Sequence, residues 1–395
     1  MYPGTYAAHA PDRLAAVMTG TGESLSYADL ERRSVQLAHV LYDAGLRPGD
    51  VVALLTENNL RAFEVYWAAM RSGLYITAVN FRLKPDEVAY IVDDCDAAAL
   101  IVSAEQAETA EAISAQTGKV KLRLAFGGPV AGHGSYEEII AGAPAEPFAD
   151  QPHGAPMLYS SGTTGQPKGV RPPLPGVQVS QAGDPVVVLA GRFFGVTSDS
   201  VYLSPAPLYH AAPLRWSAAV QAHGGTVVVM KKFDAEQALQ AIEDRHVTHA
   251  QFVPTMFVRM LQLPPEVRER YDVSSLQVAI HAAAPCPVEV KQKMIVWSAP
   301  RTGPSCPRGR SAASTSNAIP SRSATTMTRT RPARPSTSST RPGPPRTCWP
   351  CTRRSTTWPS SACPIRRWGS RSPRSSHLPR VRSPARSWRR RSPPS

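Results

Sequence analysis

The residues best equipped for chemistry form one short run, Met157-Leu-Tyr-Ser-Ser-Gly-Thr-Thr-Gly-Gln-Pro-Lys-Gly-Val170. An apolar start enters a loop in which Ser160, Ser161, Thr163 and Thr164 offer hydroxyl donors. Gly162, Gly165 and Gly169 allow close backbone approach to a ligand, and Lys168 adds a point charge. Amide, hydroxyl and ammonium donors together are equipment for holding a polyphosphate. The GxxxxGK[ST] spacing of a Walker loop is not met. A solvated turn explains two or three such residues in a row, but not this long a string.

The elements around the loop read as α/β. Ser26, with Asp29 three residues on, opens a helix whose Leu30, Leu37 and Leu41 share a face, and Gly45 is placed to end it. RPGDVVALL is a short apolar strand. A helix from about Leu60 to Arg71 follows, closed by Gly73. YITAVN is a strand, Pro85 starts the helix LKPDEVAYIVDDC, and AAALIVS is a strand again. Farther on VVVLA, SVYLSPA, GGTVVVM and HAQFVP read as strands, while DAEQALQAIEDRH and TMFVRMLQL read as helices. This alternation predicts parallel β-α-β units with helices covering the sheet.

Charge divides the chain in two. Its formal net charge is +14, but residues 297–395 hold 21 Arg and no Lys, Asp or Glu. The remaining 23 basic residues share 1–296 with all 30 acidic ones, leaving that body at −7. A basic, nucleic-acid-seeking description therefore does not fit the body, and no specific nucleic-acid partner is expected for it. Arg, Ser, Pro and Thr make up 71 of the 99 tail residues, too little apolar surface to offset chain entropy, so 297–395 is expected to be disordered. The N-terminus lacks the features of a signal peptide, and no apolar run reaches transmembrane length. Only Cys95 and Cys286 lie in the body, which suits a reducing, cytoplasmic setting.

YSSGTTGQPKGV closely resembles the phosphate-binding signature of the adenylate-forming superfamily, in particular its acyl-CoA synthetases (fatty-acid–CoA ligases). The resemblance covers most of 1–295 and is carried by several ordered blocks. LSYADLERRSVQLAHVLYDAGLRPGDVVALLTENN and YITAVNFRLKPDEVAYIVDDCDAAALIVS look like the family's N-terminal units. SPAPLYHAAP resembles the segment whose aromatic and His, here Tyr209 and His210, line the acyl channel. HAQFVPTM resembles the strand and loop before the acyl pocket. HAAAPCP resembles the turn against adenine, with Ala283, Ala284 and Pro285 in place of the more usual glycines.

The resemblance implies the large N-terminal domain of the adenylate-forming fold, with parallel-rich sheets and flanking helices. It implies a carboxylate substrate such as a fatty acid, and ATP, Mg2+ and CoA as co-reactants. The carboxylate attacks the α-phosphate to give an acyl-adenylate, and the CoA thiol then displaces AMP. Lys168 and His210 are the catalytic candidates; Ser160, Ser161, Gly162, Thr163, Thr164, Gly165, Ala283, Ala284 and Pro285 are the nucleotide-binding ones. No metal ligand is identified. His223, His246, His249 and His281 are read as structural, and Cys286 as a small buried residue.

Three readings meet the tail. As an Arg-rich arm with five Trp, it could make the chain a binding protein for nucleic acid or acidic partners. Cys348-Trp-Pro-Cys351 could be a redox or zinc motif, though a lone CxxC is weak. The third reading is a shifted reading frame. Taking the last base of each codon with the first two of the next, Cys348-Trp349 forces Leu, Trp349-Pro350 forces Ala, and Trp368-Gly369 forces Gly. The freer positions of 348–369 then permit a whole resembling LLAxH…DDVAVxGVPDPxMG, which looks like a stretch of the family's C-terminal domain. Residues 297–347 do not decode in this way. The family's magnesium-holding Glu, ribose-binding Asp, hinge and C-terminal lysine are not found after Trp297. The expectation is a body, 1–296, that is a truncated and inactive acyl-CoA synthetase, followed by an out-of-frame tail, 297–395.

Overall fold

The computed structural model describes residues 1–160, 166–281 and 284–298, and the expected disordered or out-of-frame tail lies almost wholly outside them. After a short helix, Pro3–His9, the chain forms β1 (Leu14–Met18) and a short antiparallel partner, β2 (Ser24–Ser26). It then builds a second sheet from β3 (Val51–Leu55), β4 (Tyr75–Val79), β5 (Ala97–Ser103), β6 (Leu122–Phe126), β7 (Gly134–Ser135) and β8 (Ala155–Pro156). These are all parallel, in the order β7-β6-β5-β3-β4-β8. A two-stranded ribbon follows, β9 (Leu158–Ser160) against β10 (Lys168–Val170). The chain returns to the first sheet with β11 (Val201–Ser204), β12 (Thr226–Val229), β13 (His249–Phe252) and β14 (Val278–His281). Its order is β14-β13-β11-β12-β1-β2, parallel except at β2.

Alternation along each strand assigns the two faces of both sheets. Val52 and Leu54 of β3 enter a central core, and Val51, Ala53 and Leu55 enter an outer one. On the first sheet Val227 and Val229 face the same central core, while Val228 faces a second outer one. Helices Tyr27–Asp43, Arg61–Arg71, Pro185–Phe194 and Ala211–Ala222 fill the central layer between the sheets. The order is therefore helix, sheet, helix, sheet, helix. Both sheets are buried on both faces, as their runs of Val, Leu and Ala require.

Local signals explain the ends of these helices. Asp29 N–H donates to Ser26 Oγ at 3.0 Å, and the Ser26 hydroxyl donates to Asp29 Oδ2 at 2.8 Å, so the expected start at Ser26 holds. Leu30, Leu37 and Leu41 are all fully buried, each contributing about 1.5–3 kcal/mol of transfer free energy. Gly45, at φ 88°, follows the end of that helix.

One expected strand is a helix. VVVLA lies inside Pro185–Phe194, because Asp184 accepts the Val186 N–H at 2.8 Å and Pro185 fixes the first helical φ. Three consecutive valines favour a strand only where a sheet edge accepts them; here helix caps and the central core decide. Cys286 also departs from expectation. It is partly exposed, since the chain has left the β14 edge for the surface, whereas Cys95 is buried. No helix among the described residues is long and apolar enough to cross a membrane.

Candidate functional site

The ribbon β9–β10 is the stem of the glycine- and hydroxyl-rich loop. Leu158 pairs with Val170, Tyr159 with Gly169 and Ser160 with Lys168. Lys168 is exposed at the top of the stem. Ser161, Gly162, Thr163, Thr164 and Gly165, which join the strands, lie outside the described residues. The stem is anchored to the second sheet. Tyr75 on β4 donates its hydroxyl to the Pro172 carbonyl at 2.6 Å, and the Arg171 guanidinium lies 4.6 Å from the Tyr75 ring centre. A Cβ at 169 would meet Met157 Cε and Tyr159 Cζ at 2.8 Å, so a larger residue there would have to displace both side chains.

His210 leaves the loop after β11 and stands at the start of the helix Ala211–Ala222. Its ring packs on Tyr209 at 4.3 Å, and Tyr209 meets Phe81 edge-on at 5.5 Å. Phe81 follows β4, so this aromatic series bridges the carboxyl ends of the two sheets. Partial burial and the nearby Arg82 guanidinium lower the pKa of His210. A neutral imidazole presents one donor and one acceptor rather than a cation.

Asn58, 4% exposed, locks this corner. Its amide donates to the Ala206 and Met230 carbonyls at 3.1 and 2.8 Å, and its Oδ1 accepts from the Leu208 N–H at 2.8 Å. Loops after β3, β11 and β12 are thus fixed to one side chain. Beside it lies a cavity of about 220 Å3 whose lining includes Arg82, Lys231, Lys232 and Arg259. Lys231 is ion-paired with Glu105 at 2.5 Å, and the Arg259 guanidinium lies 4.9 Å from the centre of the Phe233 ring. This cationic corner escaped the sequence reading. Its signal was present in Met230-Lys-Lys-Phe, basic residues at the carboxyl end of a strand, where open α/β sheets bind ligands.

A second cavity, of about 580 Å3, lies between the ribbon and the starts of helices Pro185–Phe194 and Ala211–Ala222. It brings Leu158, Tyr159 and Val170 of the ribbon toward Ala211, the residue after His210. The catalytic candidates Lys168 and His210 are not themselves in its lining; near neighbours of each, Val170 and Ala211, are. Ala284 and Pro285 are exposed just beyond β14, at the same carboxyl end of the first sheet, and Ala283 lies outside the described residues.

The histidines read as structural divide. His223 Nε2 contacts the Val187 carbonyl at 2.8 Å, tying helix Pro185–Phe194 to the end of helix Ala211–Ala222, and His249 Nε2 contacts the Phe194 carbonyl at 2.9 Å, tying it to β13. His246 ends its helix in the left-handed region at φ 49°. His281 is 6% exposed and has no hydrogen-bond partner at either nitrogen.

Comparison with known proteins settles the family. The AMP-binding enzyme family profile matches residues 5–301. The chain belongs to this family. Feruloyl-CoA synthase of an Amycolatopsis species is 33% identical over 279 residues, covering 69% of this chain and 52% of that protein. The fatty acid–[acyl-carrier-protein] ligase ScoC of Streptomyces coeruleorubidus is 30% identical over 297 residues, covering 71% and 52%. The chain spans about half the length of the curated relatives it matches. Among solved structures, the inhibitor-bound N-terminal domain of FACL13 from Mycobacterium tuberculosis superimposes with a TM-score of 0.64 at 26% identity, over 74% of this chain and 72% of that one. ATP-bound MatB from Rhodopseudomonas palustris gives 0.59 at 25%, over 75% and 58%. The AMP-binding chain thus has the expected parallel-rich α/β fold of the adenylate-forming N-terminal domain.

Proposed function

We propose that this AMP-binding chain holds ATP at the β9–β10 hairpin and positions a carboxylate, such as a fatty acid, for attack on the α-phosphate, in the manner of an acyl-CoA ligase. The observation that carries this reading is the hairpin itself, with Lys168 and Ser160 facing each other at the mouth of a loop of glycines and hydroxyls. Phosphoryl chemistry needs placement and charge neutralisation more than covalent help. Ser160, Ser161, Thr163 and Thr164 and the loop amides would hold phosphoryl oxygens, with Lys168 as the cation. Ala283, Ala284 and Pro285 would line the nucleotide. His210, uncharged and braced by Tyr209, would orient the carboxylate through one hydrogen bond. The cationic corner at Arg82, Lys232 and Arg259 has the charge to receive the phosphates of CoA.

Magnesium, when bound, would neutralise phosphate charge. Among the described residues no group of three or more His, Cys, Asp or Glu is arranged to hold a metal ion. Residues 297–395 carry no Asp or Glu at all, so that stretch contributes no carboxylate for a metal or for ribose. We therefore propose binding without efficient turnover. Isothermal titration with ATP is expected to show binding that Lys168→Ala weakens; no ATP binding at all would remove the proposal. Fatty-acid-dependent ATP–pyrophosphate exchange that disappears in Lys168→Ala would overturn the turnover statement.

A further inference from the structure

The cavity of about 580 Å3 is walled largely by apolar residues, among them Pro156, Leu158, Val170, Pro172 and Ala211. His153, at its edge, is kept neutral by burial. Two ionised side chains line it, Asp184 and Arg215, and they are bound to each other. Arg215 Nε donates to Asp184 Oδ2 at 2.8 Å and Arg215 Nη2 to Oδ1 at 2.6 Å. The Asp184 side chain is 8% exposed and that of Arg215 33%. Oδ1 also accepts the Val186 N–H, which caps the helix behind it.

Such a wall presents charge that is already cancelled. A ligand bringing a second charge into this space would lose its hydration with no free counter-ion to meet it. An uncharged hydrocarbon or aryl body incurs no such cost, and its burial is favourable. We propose that the Asp184–Arg215 pair is a specificity determinant: it reserves the cavity for the uncharged body of a monocarboxylate and rejects a substrate with a second, distal carboxylate. This rests on the reading that a carboxylate is activated beside the hairpin.

Two substitutions separate the pair's charge from its shape. Asp184→Asn keeps an oxygen to cap Val186 and releases the Arg215 cation toward the cavity. Arg215→Gln does the reverse and leaves an anion on the wall. The probes are octanoate and straight-chain α,ω-dicarboxylates of six to twelve carbons, titrated calorimetrically into the full chain, with thermal melts to confirm folding. The wild type is expected to favour octanoate over every dicarboxylate by at least about tenfold. Asp184→Asn is expected to narrow that preference by about tenfold or more, and Arg215→Gln to widen it. An unchanged preference in both folded variants, or a wild type that binds neither acid class, overturns the proposal. A preference that switches as expected, in a protein that binds no ATP, sinks the ligase reading and leaves the role of the pair standing.

Discussion

Lys168 stands directly across the ribbon from Ser160, paired backbone to backbone at the point where the strands meet the loop. Because Lys168 is exposed, its removal tests ligand binding with little effect on the fold. Lys168→Ala is expected to lower ATP affinity by about ten- to a hundredfold, the worth of one charge-assisted hydrogen bond. Its melting without ligand should stay within about 0.5 kcal/mol of the parent. Titration calorimetry and thermal melts check both halves.

Gly154 leads into β8, the strand of the second sheet before the ribbon, and sits against backbone. A Cβ there would lie 2.2 Å from the Leu74 carbonyl oxygen and 2.6 Å from that of Ala69. Backbone cannot rotate aside as a side chain can. Gly154→Ala should cost about 3 kcal/mol in a denaturant melt. Gly20→Ala, with nothing within 4 Å of its Cβ, is the control and should change little.

Glu64 is fully buried between two guanidiniums. Arg33 Nε lies at 2.8 Å and Arg61 Nη1 at 3.1 Å, and the Tyr136 hydroxyl donates at 2.9 Å. Burial raises the Glu64 pKa while Arg33 and Arg61 oppose the rise. Glu64→Leu leaves Glu137 as the one close carboxylate for two partly buried guanidiniums and strands a buried phenol, and should destabilise by about 3 kcal/mol. Glu64→Gln, which keeps two hydrogen-bonding atoms, should cost less; equal losses would argue against the charge account.

Acid should destabilise the chain through its buried histidines. Burial lowers the pKa of His281, His153 and His249, with Lys291 adding to the effect at His281. Above the unfolded pKa of about 6.5 both states are neutral and pH has no effect through these groups. Below it the unfolded chain takes up protons that the folded one refuses, so stability falls as pH drops toward the folded values, by up to about 1.4 kcal/mol per pH unit for each group. His281 has no partner to lose. His281→Leu should therefore flatten the acid limb of a stability–pH curve; an unchanged slope would falsify this account.

Much of this was legible in the residues. The Ser26 cap, the strand runs and the phosphate loop are local signals, each set by a few neighbouring side chains. The helix at 185–194 was misread for the opposite reason. Val186, Val187 and Val188 carry strand propensity, and what overrides it is a cap at Asp184 held in turn by Arg215, 31 residues away.

The sequence by itself determined the alternating α/β order, the acidic body and the loop at 159–170, because periodicity, charge and spacing act along the chain. Tertiary structure decided what meets across it. Asn58 gathers the loops after three strands, Phe81 and Tyr209 join the two sheets, and Arg215 neutralises Asp184 at a cavity wall. Each contact joins residues far apart in the chain, and only the parallel crossovers, which bring the carboxyl ends of the parallel strands to one side of each sheet, place them within reach.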